Sequence, residues 1–354
     1  MAMKLTPGRI AERFRGNPMF PSLMFPVFPG LMLRSNQGGL LPFASRWRIK
    51  PRRLGAWHPP KIYGRIGSLE VRLARKKSEI RQAQRLRYKV FYEEMSAVPD
   101  ALAMLSRRDE DEFDQIFDHL LVVDRGDTTN GRRWHRPRVV GTYRVLRQEV
   151  ADLNDGFYTQ GEYNILPLIQ AKGGDYSFME LGRSCVLKPY RNKRTLELLW
   201  QGVWSYVREH GANVMVGCAS FEGTEPAAHA MALSFLYHNA LAPEDWRVRA
   251  HEHLRVDMNM LPADAVNARA ALKALPPLIK GYLRLGAYIG DGAVIDHQFG
   301  TTDVLIILPV EAIKTRYFAH FEQRLFSNAF EDSCNSPVTA GANSPAFSLS
   351  SSSV

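Results

Sequence analysis

Apolar side chains recur along residues 69–308 with two different periods, and each period predicts one type of secondary structure. Alternation of apolar and polar residues predicts strands, whereas apolar residues spaced three and four apart predict helices. The predicted strands are 69–74, 119–123, 139–146, 178–187, 214–219 and 304–308. The predicted helices are 78–95, 195–211 and 226–240. Strands and helices interleave along the chain, which is typical of an α/β (α+β) domain.

Two flanking regions differ from this periodic body in composition. Residues 1–66 are rich in proline, glycine and arginine, and residues 326–354 are rich in serine, asparagine, proline and alanine. We expect both segments to be poorly ordered. The sequence therefore predicts one folded domain over residues 67–325, in which residues 241–325 form a C-terminal extension.

Charge divides the chain in the same way. The 354 residues carry a formal net charge of +10, yet residues 1–66 hold 12 Lys and Arg against one acid, Glu12. The remaining residues hold 34 bases and 35 acids, so the predicted domain is close to neutral. A basic groove for nucleic acid is therefore not indicated. The basic leader suits contact with an anionic membrane surface or a role as a solubilising arm.

Several common types of site find no support in the sequence. Cys185, Cys218 and Cys334 lack the spacing of a zinc site or a disulfide framework, so we expect no metal. Cys218 and His229 do not form a convincing nucleophile and base pair. The longest apolar run, residues 19–33, contains three prolines and falls short of the roughly twenty residues that span a bilayer.

Charged residues within apolar segments are the first candidates for a site. Arg87 falls on the apolar face of the helix 78–95, where it needs an anion, an ion pair or a path to solvent. Asp111 and Asp114 follow helical spacing, so both carboxylates can face one cleft and suit a cationic substrate. Arg144 interrupts the apolar strand 139–146 in a similar way.

The strand 178–187 contains Glu180 and Arg183, separated by Gly182. In a regular strand these two side chains would point to opposite faces of the sheet. A bulge at the glycine adds one residue to the count, which turns both side chains to one side and frees backbone N–H groups. Freed N–H groups can polarise a carbonyl or a thioester. A glycine that only relieves crowding is the alternative.

The polar run 190–195 precedes the long helix and the strand 214–219, which together form a βαβ unit. Three bases, Arg191, Lys193 and Arg194, flank the start of this helix, and a helix N-terminus attracts phosphate groups. The run lacks the glycine-rich loop of nucleotide-binding motifs. A phosphate or pyrophosphate ligand is therefore expected, but not a nucleoside triphosphate or a dinucleotide.

The order of these elements resembles the GNAT acyltransferase fold. The acyl-homoserine-lactone synthases, which are related to GNAT enzymes, share the following residues with this chain: Arg87, Val90, Phe91, Asp111, Asp114, Arg144, Glu180 and Arg183. The segments FMELGRSCVLKPYRNKRTLELLWQGVWSYVREHG, GCASFEGT and LPPLIKGYLRLGAYIGDGAVIDHQFGTTDV resemble the hemolysin-like ornithine N-acyltransferases of bacterial ornithine-lipid synthesis. This resemblance covers residues 67 to about 313.

The resemblance implies a mixed, mostly antiparallel sheet flanked by helices, with a bulge in the fourth strand. It implies an enzyme that transfers a 3-hydroxyacyl chain from acyl carrier protein to the α-amine of L-ornithine, giving lyso-ornithine lipid. The donor would be the acyl-phosphopantetheine of the carrier protein, with no permanently bound cofactor. The loop at 191–195 lacks the glycines of members that use acetyl-CoA, which argues against that donor.

The resemblance also assigns roles to residues. Glu180 and Arg183 would be catalytic, with Glu180 accepting the proton of the amine. The acceptor would be bound by residues of both charges: Arg87, Phe91, Asp111, Asp114 and Arg144. Some of the arginines could instead brace the acids. The donor would be bound by backbone or side-chain groups of one segment: Ser184, Val186, Arg191, Lys193, Arg194 and Thr195.

Two other functions remain open at this point. One is an acyl-homoserine-lactone synthase, which would use S-adenosylmethionine as acceptor, although the region after residue 240 argues against it. The other is a membrane-binding or lytic module without enzymatic activity, suggested by the basic leader. For the enzyme we expect a cytoplasmic location, peripheral on the inner face of a bacterial membrane, with residues 1–66 contacting the anionic surface.

Overall fold

The computed structural model describes residues 61–95, 97–126 and 137–313. Within these residues it contains nine strands: β1 (Ile62–Ile66), β2 (Leu69–Leu73), β3 (Asp118–Asp124), β4 (Arg138–Arg147), β5 (Phe178–Val186), β6 (Val214–Glu222), β7 (Arg255–Val256), β8 (Tyr288–Asp296) and β9 (Thr301–Pro309). They form one sheet in the order β1-β2-β3-β4-β5-β6-β9-β8-β7. The predicted leader and tail fall mainly outside the described residues.

Eight α-helices accompany the sheet in the described part of the chain: α1 (Lys77–Tyr88), α2 (Ala101–Ser106), α3 (Gln148–Ala151), α4 (Leu166–Lys172), α5 (Lys193–His210), α6 (Ala230–Ala240), α7 (Ala268–Ala274) and α8 (Pro277–Leu285). A π-helical turn, Lys89–Glu94, continues α1, and single 3-10 turns lie at Glu112–Gln115, Tyr158–Gly161, Lys188–Tyr190, Pro226–His229, Glu244–Trp246 and Val310–Ala312. None of the described helices is long and apolar enough to cross a membrane.

Helices cover both faces of the sheet. The central strand β4 is buried at every position from Val139 to Leu146, so neither of its faces meets solvent. On one face Tyr143 bonds to Tyr282 of α8 with 2.8 Å between the hydroxyl oxygens, and α5 packs on the neighbouring strands. On the other face α1 packs against β4 and β5. Strands enclosed in this way need apolar side chains on both faces, which explains the near-continuous apolar runs.

Strands β5 and β6 are the only parallel neighbours within the described sheet. Their pairing covers three residue pairs, from Phe178 opposite Val214 to Glu180 opposite Val216. Helix α5 connects them, as a parallel connection requires a crossover element. Beyond Glu180 the two strands no longer pair, so the sheet opens at its centre.

The bulge predicted in the strand 178–187 is present. Cys185 pairs with Thr142 and Gly182 pairs with Arg144, so Arg183 and Ser184 together oppose the single residue Tyr143. Arg183 adopts the left-handed conformation, with a φ of 52°. The extra residue therefore follows Gly182, and an arginine rather than the glycine takes the unusual backbone angle. The bulged strand is the fifth of the described fold, because β1 precedes the first predicted strand.

The structure contains elements that the sequence did not predict, among them strands β1 and β8. Strand β1 pairs with β2, so the domain begins before residue 67, where the predicted domain was expected to begin. Strand β8 runs through Gly290 and Gly292, which interrupt its apolar pattern. Its pairing with β9 is interrupted between Ile289 and Ala293, so the glycines occupy an irregularity inside a strand rather than the end of one.

Candidate active site

Arg87 is the most deeply buried charge of the site. It projects from α1 with 0% of its surface exposed. Its Nε donates to Asp109 Oδ2 at 2.6 Å, and its Nη2 donates to Asp114 Oδ2 at 2.7 Å. Burial alone would raise the pKa of Asp114, but Arg87 and Arg144 outweigh it and hold that pKa well below its ordinary value. The ion pairs therefore keep these charges ionised inside the protein.

The local sequence fixes the orientation of Asp111 and Asp114, the two acids that helical spacing was expected to place on one side. Asp111 precedes the 3-10 turn Glu112–Gln115, and its Oδ1 accepts the backbone N–H of Asp114 at 3.0 Å. Asp114 Oδ2 lies 3.4 Å from the N–H of Asp111 in return. This reciprocal cap orients both carboxylates toward the sheet.

Two further arginines complete the network from neighbouring strands. Arg144 on β4 donates from Nη1 to Asp111 Oδ1 at 2.6 Å and to Asp114 Oδ1 at 3.0 Å. Arg183, at the bulge of β5, lies with its Nη2 3.3 Å from Asp111 Oδ2 and its Nε 3.3 Å from Asp109 Oδ2. Three guanidinium groups and three carboxylates thus alternate, and their formal charges cancel.

Three of the predicted substrate-binding residues are buried. Arg87 and Asp114 pair with each other and with neighbouring charges, and Phe91 packs edge-on against Phe299 in the core, with ring centroids 5.7 Å apart. These contacts favour the alternative in which such residues brace the site. Their assignment as substrate-binding residues stays a prediction.

Glu180 borders a cleft of about 290 Å³ that opens where β5 and β6 separate. The cleft is lined by residues from the sheet and from the turn at Tyr158–Gly161: Phe117, Arg144, Tyr158, Thr159, Glu180, Leu181, Gly182, Arg183 and Cys218. Glu180 Oε2 accepts the N–H of Tyr158 at 2.7 Å, and Oε1 accepts the N–H of Thr159 at 2.7 Å. The Thr159 hydroxyl also donates to Oε1.

Burial gives this carboxylate a raised pKa, although the donors from Thr159 and Tyr158 lower it in part. A carboxylate has about four acceptor positions, so three donors leave room for one more. Glu180 and Arg183 both line the cleft, as the predicted bulge required. The arrangement can hold an amine beside a base whose proton affinity is raised, which is the requirement for general base catalysis near neutral pH.

The backbone N–H and C=O of Val186 point away from β4. Leu187 donates its N–H to Val140 of β4, whereas the carbonyl of Val186 accepts from Arg191 Nε at 2.9 Å. In an extended strand the N–H and C=O of one residue point to the same side. The N–H of Val186 is therefore directed toward the gap between β5 and β6. Ser184, within the bulge, is also outside the regular ladder.

The start of α5 divides the predicted donor-binding residues into two groups. Arg191 donates to Glu94 Oε2 at 2.5 Å as well as to Val186, so its charge is already paired. Thr195 is buried and donates its N–H to the capping residue Asn192 at 3.2 Å. Lys193 and Arg194 are exposed, and Lys193 Nζ lies 3.7 Å from Glu197. The two exposed bases sit at the positive end of an 18-residue helix.

Several residues of the site were missed by the sequence interpretation. Asp109 lies two residues before Asp111 in the sequence, but its partners Arg87 and Tyr92 are known only from the fold. Tyr158 and Thr159 carry no sequence signal, because they act through backbone N–H groups. Cys218 lines the cleft, burial raises the pKa of its thiol well above the ordinary value, and its Sγ lies 3.0 Å from Glu162 Oε2.

Comparison with known proteins agrees with this architecture. A family model described as the Acetyltransferase (GNAT) domain matches residues 86–201, which include the C-terminal end of α1, the acidic turn, the bulged strand and the start of α5. The sheet that opens beside the bulged strand, and the site around it, define the chain as an acyltransferase of the GNAT class. Curated relatives narrow this class further.

The chain belongs to the L-ornithine N(alpha)-acyltransferase family. The protein of that name from Agrobacterium fabrum is 52% identical over 77% of this chain and 92% of its own length. The Brucella abortus protein is 52% identical over 73% of this chain and 91% of its own. Among solved structures, one match is the N-acyl amino acid synthase FeeM from uncultured soil microbes, with a TM-score of 0.37 and 9% sequence identity. The match covers 70% of this chain and 94% of that chain.

Proposed function

We propose that this chain transfers a 3-hydroxyacyl group from acyl carrier protein to the α-amine of L-ornithine. The product is lyso-ornithine lipid, so the reaction is the first step of ornithine lipid synthesis. The names of the relatives support the acceptor. The observation that carries the proposal for this chain is the position of Glu180, a buried base at the cleft where β5 and β6 separate.

The reaction needs no covalent enzyme intermediate. The α-amine attacks the thioester carbonyl, a carbon–nitrogen bond forms, and the carbon–sulfur bond breaks. Glu180 accepts the proton that the amine loses, directly or through water, and the thiol of the carrier leaves in its protonated form. Tyr158 and Thr159 hold the carboxylate of Glu180 in place through the bonds described above. The enzyme contributes mainly by holding amine and thioester together.

The gap between β5 and β6 suits the thioester. Its carbonyl oxygen would accept from the N–H of Val186, which points into the gap, and this bond would strengthen as negative charge develops on the oxygen. Lys193 and Arg194 at the start of α5 would bind the phosphate of the phosphopantetheine arm and acidic side chains of the carrier protein. Arg191 would act indirectly, by fixing the Val186 carbonyl.

The carboxylate of the acceptor requires a cation at the cleft. Arg144 lines the cleft, and its buried Nε has no hydrogen-bond partner. A buried donor without a partner is unfavourable, and a bound carboxylate would satisfy it. We therefore assign Arg144, with Arg183 beside it, to the α-carboxylate of ornithine.

A peripheral position on the cytoplasmic face of a membrane completes the proposal. The product is a lipid, and residues 1–60 carry most of the basic excess of the chain. Lysine and arginine near an anionic surface each contribute about 1 kcal/mol to binding. The enzyme would thus release its product beside the bilayer that takes it up.

Mass spectrometry of the products tests this function. The purified full-length protein is incubated with acyl carrier protein loaded with a 3-hydroxyacyl chain and with an equimolar mixture of amino acids and S-adenosylmethionine. We expect one dominant product, the Nα-acyl amide of ornithine. Formation of an acyl-homoserine lactone, or of no acylated product, would contradict the proposal.

A further inference from the structure

Three carboxylates outside the arginine network lie together behind the cleft. Glu162 comes from the loop after the turn Tyr158–Gly161, Asp296 from the end of β8 and Asp303 from β9. One oxygen from each lies within 4.8 Å of the others. All three side chains are buried, with exposures of 0 to 1%. We call this group the acidic triad.

The acidic triad faces the same side of the sheet as Glu180. Glu180 pairs with Val216, and Ser220 pairs with Asp303, so alternate residues of β6 connect the two positions on one face. Cys218 lies between them. It lines the cleft, and its thiol donates to Glu162 at 3.0 Å. The triad is therefore separated from the cleft by a single small side chain.

None of the three acids forms an ion pair within the described residues, although the field of Arg183 acts on Glu162 and Asp296. This distinguishes the triad from Asp109, Asp111 and Asp114, which arginines engage. Glu162 Oε1 and Asp296 Oδ2 are buried atoms without a hydrogen-bond partner among the described residues. Burial raises the pKa of Glu162 to about 8, and the field of Asp296 adds to this effect. Enclosed acids with unused acceptor atoms suit a positively charged ligand.

The three oxygens lie close enough together to surround one primary ammonium group. Three acceptors placed tetrahedrally at about 2.9 Å from a nitrogen are about 4.7 Å apart, which is within the 4.8 Å limit that the triad oxygens satisfy. The amino nitrogens of a 2,5-diamino acid are about 6 Å apart when its chain is extended. Glu180 and Cys218 line the same cleft, and the Cys218 thiol contacts Glu162, so a diamino acid with one nitrogen at Glu180 would direct the other toward the Glu162 side of the triad.

We propose that the acidic triad of Glu162, Asp296 and Asp303 binds the side-chain ammonium of the acceptor amino acid and thereby selects a diamino acid. This inference rests on the proposed function, since it assumes that the α-amine is acylated at Glu180. It replaces Asp111 and Asp114 as the predicted ligands of this ammonium. It also separates the two ends of the acceptor, with arginines at the carboxylate and acids at the side chain.

The test compares L-ornithine with L-norvaline, which has the same carbon chain without the side-chain amine. For the wild-type enzyme we expect kcat/KM to favour ornithine by roughly a hundredfold or more, because a neutral side chain leaves the buried acids unpaired. In Asp303→Asn and Glu162→Gln this ratio should fall at least tenfold. Ornithine should also raise the Tm of the wild-type protein, and this shift should shrink in both variants.

Glu112→Gln provides the matched control. Glu112 is an exposed acid that lines a second hollow together with Asp109, Asp111 and Arg183 of the arginine network. This control should keep the wild-type ratio. The inference is wrong if Glu112→Gln lowers the ratio of kcat/KM for ornithine to that for norvaline while the triad variants do not. It is also wrong if the triad variants lower kcat/KM equally for both amino acids.

Two further outcomes distinguish an ammonium site from a metal site and from a failure of the proposed function. A stoichiometric divalent metal in the purified enzyme, with activity lost in EDTA and restored by Mg²⁺ or Ca²⁺, would overturn the ammonium site. A wild-type enzyme that acylates no ornithine would instead refute the proposed function itself. Ornithine acylation with an unchanged ratio in folded triad variants would refute only the inference.

Discussion

Arg87 shows how a single buried charge organises the candidate site. Its guanidinium joins Asp109 and Asp114, which belong to a segment more than twenty residues later in the chain. The side chain has no exposed surface, so these bonds have no competition from water. Removing one member would leave the others charged and buried with one partner fewer. We therefore expect Arg87 to act by positioning acids.

Arg87→Met should destabilise the protein by about 3–5 kcal/mol, because it removes one cationic partner from each of two buried carboxylates, Asp109 and Asp114. The free energy of unfolding in urea measures this loss. Arg107→Met is the matched control, since Arg107 pairs with Glu93 at an exposed position and should change stability by less than about 1 kcal/mol. Equal effects of the two substitutions would contradict the structural role of the network.

Glu180→Gln should lower kcat by about a hundredfold or more if Glu180 accepts the proton of the amine. The glutamine keeps an acceptor oxygen for the Tyr158–Thr159 turn but cannot take up the proton. Release of the free carrier thiol at several pH values measures the effect. Glu70→Gln, a buried glutamate that pairs with Arg72 on β2, is the control. A folded Glu180→Gln variant with near-normal turnover would refute the assignment.

At the scale of elements, the opening between β5 and β6 creates the cleft. Gly217 lies at this opening, one residue beyond the last parallel pair. Its φ is 155°, and a Cβ placed there would lie 2.3 Å from the carbonyl oxygen of Leu181. The backbone of β6 therefore approaches β5 more closely at this point than any other residue type allows.

Gly217→Ala should destabilise the protein by about 1–3 kcal/mol and reduce activity, because the two strands must move apart at the cleft. Thermal unfolding and kcat measured on the same preparation check both effects. Gly281→Ala offers a comparison, since Gly281 lies in α8 with no atom near an added Cβ and alanine favours helices. That variant should be as stable as the wild type or slightly more stable.

For the whole molecule, the acidic triad links stability to pH. Glu162 has a pKa of about 8 in the folded protein and an ordinary value near 4.5 when unfolded. The folded state therefore binds the extra proton between these values, and its stability falls as pH rises toward 8. The charged or titratable groups around Glu162 are Cys218, Glu180, Arg183, Asp296 and Asp303.

Between pH 6.5 and 8 we expect the free energy of unfolding to decrease by up to about 1.4 kcal/mol per pH unit for this one group. Urea unfolding at these pH values measures the slope. Glu162→Gln should flatten it, since glutamine does not titrate. Buried histidines such as His119, whose pKa is lowered to about 4 by burial, titrate below this window. An identical slope in both proteins would contradict the raised pKa.

The basic leader gives a second prediction for the whole molecule. Deletion of residues 1–60, which keeps β1, should weaken binding to vesicles of anionic phospholipid while leaving turnover of soluble substrates nearly unchanged. Vesicle sedimentation at low and high salt measures the binding. Loss of turnover in the folded, shortened protein would show instead that the leader contributes to the active site.

The sequence predicted most of the fold because the spacing of apolar residues and the local amino-acid composition are properties of neighbouring residues. All six predicted strands and the long helix before residue 211 are present, and the bulge after Gly182 was expected from the count of residues between Glu180 and Arg183. Strand β1 was assigned to the leader, since its composition resembles what precedes it. Strand β8 was missed because its glycines resemble a turn.

The sequence by itself determined which side chains are available and in which order the elements follow, because both depend on local periodicity. Only the tertiary structure decided which charges meet. It paired Asp111 and Asp114 with arginines and left Glu162, Asp296 and Asp303 without an ion pair among the described residues. The physical reason is that the state of a buried charge depends on its partners and its distance from water, and both are set by segments far apart in the chain.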